Sequence, residues 1–331
     1  MFDRKKIFLC ACAISLLATA FFVYELRPVT TPLPDPLSPL IFDVPSGTGF
    51  LEVAGQLEEK GIIRSSSAFG VYGFIVGAVS DIQPGRYVFD GAFSASDVLG
   101  VLVAGPEREV RVAIPEGATV REIDELLSAE GIIRQGVLLH AQGNGVSLEG
   151  RLFPDTYDFF RGSSVKEVTD KLLDTFQRKA APLLTSDPSH AKDNLVLASI
   201  LEKEVPDYEE RRIVAGILKK RLAARMPLQV DATICYLKKE QAARQGKEHG
   251  KCYPLVPLDF KIDSPYNTYL QKGLPPGPIG SPGVFAVKAA VDSVSSPYWF
   301  YLSDPKTGKT IFSKMFEEHS SKRAEFLLNR R

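Results

Sequence analysis

The sequence carries no surplus of charge of either sign. Its 40 lysine and arginine residues equal its 40 aspartate and glutamate residues, and the formal net charge is zero. Gripping a phosphate backbone needs a basic surface, so this balance argues against nucleic acid as a partner. Histidine and cysteine are scarce, at 4 each. His140, His190, His249 and His319 are scattered, and no CxxC or Cys/His cluster has zinc-ligand spacing. The sequence therefore offers no metal site, no nucleotide site and no reason to expect a cofactor. Cys10 and Cys12 fall inside an apolar run, where they make no structural staple. Cys235 and Cys252 lie close together in the distal half. They read as a disulfide if that half is exported, or as two free buried thiols.

What the sequence has in length is hydrophobic at its start. Ile7 to Tyr24 runs without a charge, preceded by Arg4, Lys5 and Lys6. A helix of that length comes near the ~30 Å hydrocarbon core of a bilayer. The positive flank predicts an N-terminus in the cytoplasm and the remainder outside. A cleaved signal peptide is the competing reading, because Ala18-Thr19-Ala20 resembles a cleavage site. That site lies inside the apolar run, which favours an uncleaved anchor. The expected organisation is a cytoplasmic tip over 1–6, a transmembrane anchor over 7–25 and a proline-rich spacer over 26–40 that holds the folded part off the bilayer. A repeat region over 41–145 and a distal domain over 146–331 follow.

The repeat is explicit. Residues 45–64 read PSGTGFLEVAGQLEEKGIIR, and residues 115–134 read PEGATVREIDELLSAEGIIR. The same register aligns Tyr87 and Phe89 with Tyr157 and Phe159, and Ser94 with Ser164. In each copy a short apolar strand ends at Pro-x-Gly, a turn signal. An amphipathic helix follows, then a glycine (Gly61 or Gly131) where a helix C-terminus is expected. A second helical stretch and a strand complete a βααβ order. That order resembles the LysM glycan-binding module, and it equally fits a generic small α+β unit.

Three distal segments stand out: Leu148 to Tyr157 (LEGRLFPDTY), Leu197 to Glu204 (LASILEKE), and Ser264 to Gly283, from SPYNTY through GLPPGPIGSPG. Asn194 to Val205 reads as a helix, capped by Asp193 or Asn194, with Leu195, Ala198, Leu201 and Glu202 near one face. An acid that protonates a leaving oxygen near neutral pH needs a desolvated carboxyl, and a largely apolar helix face supplies one. By geometry alone a Glu at a helix edge is more often a solvated residue or an ion-pair partner. Glu204 points to nearly the opposite side. Gln229 and Asp231 sit in LQVDAT, a polar cluster among apolar neighbours. Tyr266, Asn267 and Thr268, in SPYNTY, open a Gly/Pro-dense loop running through GLPPGPIGSPG. A ring with amides and hydroxyls suits sugar recognition, and a structural turn would have the same composition.

ASILEKE, LQVDAT, SPYNTY and GLPPGPIGSPG, in that order behind an anchor and a LysM-like part, resemble the endolytic murein transglycosylases of the MltG or YceG-like family. The chain departs from the usual pattern at Val230, Ala232, Gly280 and Ser281. The resemblance implies an α+β protein with a mixed α/β catalytic domain. It implies a lytic transglycosylase cutting between N-acetylmuramic acid and N-acetylglucosamine to leave 1,6-anhydro ends, with Glu202 as catalytic acid and base. Tyr266 and Asn267 would position the sugar and Asp231 would support the site, with Gln229 and Thr268 beside them. Peptidoglycan strands would be the substrate, peptidoglycan synthases the neighbours, and strand termination the outcome. A hydrolase using Asp155 or Asp231 as second acid, or a non-catalytic wall-binding scaffold, would be told apart by the products.

Overall fold

A computed structural model describes residues 4–28, 40–89, 93–141, 147–186, 188–246, 252–304 and 307–328. The class is α+β, and among the described residues the strands pair into three two-stranded sheets. Helix α1 (Arg4–Glu25) opens the chain. Its side chains over 4–11, the first part of the expected anchor, lie outside the described residues. Ile14, Leu16, Leu17, Phe21 and Val23 are exposed along the rest of it. Among the described residues no helix is long and apolar enough to cross a membrane.

The first repeat copy folds in the order read from its sequence. Strand β1 (Leu40–Val44), helices α2 (Phe50–Glu59) and α3 (Ser66–Val76), and strand β2 (Gly85–Phe89) follow one another. β1 and β2 are antiparallel, with Phe42 opposite Tyr87 and Leu40 opposite Phe89. Alternation puts Phe42, Val44, Tyr87 and Phe89 inward, onto Val53, Leu57 and Phe69. Gly47 adopts φ 86° in the Pro-x-Gly turn, and Gly61 adopts φ 70° just past α2, conformations that favour glycine. Helix α4 (Ala95–Ala104) closes the core, with Ser94 and Asp97 forming a reciprocal cap.

Leu26 packs against this same core, and its carbonyl accepts from the Ala95 amide at 3.0 Å. Arg64 lies over the Tyr24 ring and donates to the Pro28 carbonyl at 3.1 Å. The chain docks on the first module directly after α1, because an apolar Leu26 has a core to join. Residues 29–39 lie outside the described residues.

The second copy comprises β3 (Glu109–Ala113), α5 (Val120–Ala129), α6 (Val137–Ala141) and β4 (Thr156–Phe160), and β3 pairs with β4. Tyr157 repeats a detail of Tyr87: each hydroxyl donates to the carbonyl four residues earlier, Phe153 at 2.7 Å and Gln83 at 2.6 Å. At the position of Ala54 stands a buried Asp124, which accepts from the Gly136 and Leu138 amides at 2.5 and 2.9 Å. The boundary expected near residue 145 lies outside the described residues. By contacts, residues 1–110, 130–134 and 158–164 form one compact unit, and 111–129, 135–157 and 165–331 form another.

The distal unit continues with α7 (Val165–Lys179), α8 (Ala181–Leu184), α9 (Ala191–Glu204), α10 (Tyr208–Ala223), α11 (Asp231–Arg244) and α12 (Val284–Val291). A hairpin of β5 (Phe300–Ser303) and β6 (Thr310–Ser313) and helix α13 (Phe316–Arg323) follow. α9 is the buried axis: Val196, Leu197, Ala198, Ile200 and Leu201 are sealed by Val214, Ala215 and Leu218 of α10 and by Ala286, Ala289 and Ala290 of α12. Small residues on α12 allow close helix approach. α9 starts at Ala191, a turn earlier than the sequence suggested, with His190 at its N-cap and no side-chain cap bond. Asp193 instead lies in the first turn, where a carboxylate meets the positive end of the helix dipole. Cys235, on α11, is bonded to Cys252.

Candidate active site

Glu202 sits in the last turn of α9 with its side chain only 5% exposed. One carboxylate oxygen accepts from the Arg211 guanidinium at 2.6 Å, and the other accepts from the Gly283 amide at 2.8 Å. Arg211 is itself 7% exposed. It lies in the first turn of α10, which Asp207 caps by accepting from the Glu210 amide at 2.9 Å. The same guanidinium donates to the Val205 carbonyl just beyond α9, so it fixes the turn between the two helices. A buried carboxylate is tolerated because charge-assisted donors replace its water.

The loop that brings Gly283 is anchored on two sides. The buried Ser199 hydroxyl of α9 accepts from the Ile279 amide at 3.0 Å. The Pro115-Glu116-Gly117 turn is sewn to it as well: Gly117 N–H donates to Ser281 O at 2.7 Å, and Ser281 N–H donates to Ala118 O at 2.8 Å. A Cβ on Gly280 would lie 2.3 Å from the Gly117 carbonyl, so the two backbones approach as only glycine allows. A Cβ on Gly283 would lie 1.8 Å from Glu116 Oε1. The Glu116 and Glu202 carboxyls thus flank one residue. Burial raises the pKa of Glu116, the Glu202 charge raises it further, and Arg211 opposes both.

Glu204 has different surroundings. It accepts from the Ala232 amide at 3.2 Å and from the Tyr301 hydroxyl at 3.1 Å. Burial pushes its pKa up to about 7, helped by the charge of Asp231 and opposed by these donors. Asp231 opens α11 and accepts from the Tyr269 hydroxyl. Gln229 adopts φ 52°, and its amide donates to the Thr268 carbonyl at 3.0 Å. The buried Thr268 hydroxyl accepts from the Val230 amide at 2.9 Å. Asn267 is fully buried and donates to the Phe260 and Ile262 carbonyls at 3.0 and 2.8 Å. The polar groups of Asn267 and Thr268 are thus spent on the backbone that shapes the loop. The Tyr266 ring packs on Tyr236 at 5.2 Å, and its hydroxyl lies 3.0 Å from where a Gly277 Cβ would stand.

Asp155 is paired with Lys179 at 2.5 Å, and that partner holds its carboxyl below the usual range. Among the described residues no group of three or more His, Cys, Asp or Glu could hold a metal ion. His249 lies outside the described residues.

The YceG-like family matches residues 42–325. The chain belongs to the YceG-like family. An endolytic murein transglycosylase of Streptococcus pneumoniae serotype 2 is 27% identical over 323 residues, covering 85% of this chain and 57% of that protein. The chain thus spans a little over half of that relative's length. The endolytic murein transglycosylase of Bacillus subtilis strain 168 is 27% identical over 318 residues, covering 86% and 84%. A crystal structure of a YceG-like protein from Listeria monocytogenes superposes with a TM-score of 0.55 at 26% identity, covering 86% of this chain and 99% of that one.

Sequence reasoning on this YceG-like chain missed Arg211, Glu116 and Glu149. Arg211 lies in the next helix, and no local pattern links it to Glu202. Glu116 was read only as the middle of a turn. Glu149, in LEGRLFPDTY, accepts from the Val120 amide at 3.3 Å. Burial pushes its pKa up to about 8; the Val120 amide opposes this, and the charges of Glu240 and Glu122 add to it.

Proposed function

We propose that the chain is a lytic transglycosylase that cuts peptidoglycan strands between N-acetylmuramic acid and N-acetylglucosamine. The observation that carries this reading is the buried Glu202 carboxyl, held by Arg211 and by the amide of an anchored Gly/Pro loop. Protonated Glu202 gives its proton to the glycosidic oxygen as the bond from muramic C1 breaks. The Glu202 carboxylate then takes the proton of the muramic C6 hydroxyl as that oxygen bonds to C1. No water is consumed, a 1,6-anhydro ring closes, and one carboxyl returns to its starting state. The nucleophile belongs to the same sugar, so it gains the advantage of proximity. Asn267, Thr268 and Gln229 support the site by holding the loop and the segment before α11, Asp231 braces Tyr269, and Tyr266 offers a ring near the loop. The names borne by the Streptococcus and Bacillus relatives point the same way. A hydrolase using Asp155 is disfavoured, because that carboxylate is committed to Lys179.

In this reading α1 anchors the chain in the cytoplasmic membrane, with residues 40–328 outside. The exposed apolar side chains of α1 and the Cys235–Cys252 bond, which suits an oxidising compartment, support it. The antiparallel βααβ unit supports a LysM-like role in holding glycan. Neighbouring peptidoglycan synthases would supply the growing strands that the enzyme ends.

The test uses the full chain in detergent with purified peptidoglycan, products being read by mass spectrometry. Anhydro-muramic ends are expected from the native protein, and at least roughly 100-fold fewer from Glu202→Gln. Water-added ends would make it a hydrolase. Equal activity of the variant would remove Glu202 from the chemistry.

A further inference from the structure

We propose that Glu116 is a second carboxyl of the active site, touching the sugar at the scissile bond and stabilising the positive charge that develops at C1. This rests on the reading of Glu202 above. The two carboxyls meet across Gly283: its amide donates to Glu202 at 2.8 Å, and its missing Cβ leaves the space beside Glu116 Oε1. They differ in access. The Glu202 side chain is buried, while Glu116 is exposed and carries no hydrogen bond or ion pair among the described residues. The turn that holds it is fixed by the two bonds to Ser281 and by the close approach of Gly280.

The repeat supplies an internal control. At the matching place in the first copy, Pro45-Ser46-Gly47, the same turn is built around a serine. The turn does not need a glutamate, and among the described residues no group is hydrogen-bonded or ion-paired to this one. Its charged neighbours are Glu202 and Arg211, and Lys203 Nζ lies 3.3 Å from where a Cβ on the next residue, Gly117, would stand. A carboxylate kept beside another, with no hydrogen-bonded or ion-paired partner among the described residues, fits a group whose charge is used when a sugar is bound. Glycosidic cleavage passes through an oxocarbenium-like state, and a second carboxylate beside C1 suits it. No extra bond forms: Glu202 moves the proton, and Glu116 remains a carboxylate throughout.

The experiment compares full-length native protein, Glu116→Gln, Glu116→Ser, Glu116→Asp and Glu202→Gln. It measures the rate of anhydro-end formation against substrate concentration and pH. Glu116→Gln and Glu116→Ser are expected to lower kcat by roughly 100-fold with little change in KM, and Glu116→Asp to recover part of it. The native rate should rise with pH as Glu116 ionises, and that limb should vanish in Glu116→Gln. The serine variant copies the first module's turn, so loss of folding is not expected to obscure the result. If Glu202→Gln is inactive while Glu116→Gln stays within about threefold of native with the same pH limb, the proposal for Glu116 is overturned and Glu202 stands. If Glu202→Gln is fully active, the underlying reading fails first.

Discussion

At Gly283 a missing methyl group matters more than most side chains. Its amide holds one oxygen of Glu202, and its bare Cα leaves room for Glu116. Gly283→Ala would drive a Cβ into the free end of Glu116, a flexible obstacle that can swing aside. The fold should therefore survive, with an unfolding free energy within about 1 kcal/mol of native. The displaced carboxyl and loop should cut anhydro-end formation at least roughly tenfold. Native activity in this variant would show that the spacing at Gly283 is slack. The glycine was visible in the sequence as part of GLPPGPIGSPG, but the reason for it was not. Its obstacle lies in another turn of the chain, and so does the Arg211 partner of Glu202. Periodicity along one helix finds which face is buried and says nothing about which distant donor a carboxyl will meet.

Elements were more legible than contacts. Both βααβ copies, their Pro-x-Gly turns and the glycines past α2 and α5 follow from local rules of backbone freedom and apolar spacing. The start of α9 was misplaced, because a capping residue was sought where the helix had already begun. The Leu26 contact was missed because a proline-rich composition suggests a tether and cannot reveal a nearby core. The second copy also carries a substitution that the first makes interpretable. Asp124 replaces the alanine found at position 54, and it satisfies two backbone amides at the start of α6. Asp124→Ala should leave those amides unpaired and cost about 1–3 kcal/mol of stability. The measurement is a denaturant midpoint. An unchanged value would mean that water replaces the carboxylate.

For the whole molecule, buried carboxyls set a direction of pH dependence. Burial raises Glu149 to about 8 and Glu204 to about 7 from an ordinary 4.5. The folded chain keeps protons that the unfolded chain releases near the ordinary value. The favourable contribution of these groups is therefore complete at low pH and is lost as pH climbs through 7 to 8. Other ionisations add their own slopes, so the check is comparative. The fall in unfolding free energy between pH 5 and pH 8.5 should be shallower in Glu149→Gln than in the native chain. Identical slopes would show that Glu149 ionises freely in the folded state.

The bond between Cys235 and Cys252 spans 17 residues of sequence. Glu116 and Glu202 precede that interval, and Gly283 follows it. A protease that cuts once inside it would sever the polypeptide yet leave the two parts of the site joined through sulfur. Such a nicked chain would run as one band without reductant and as two with it, a protein of two peptides made from one gene product.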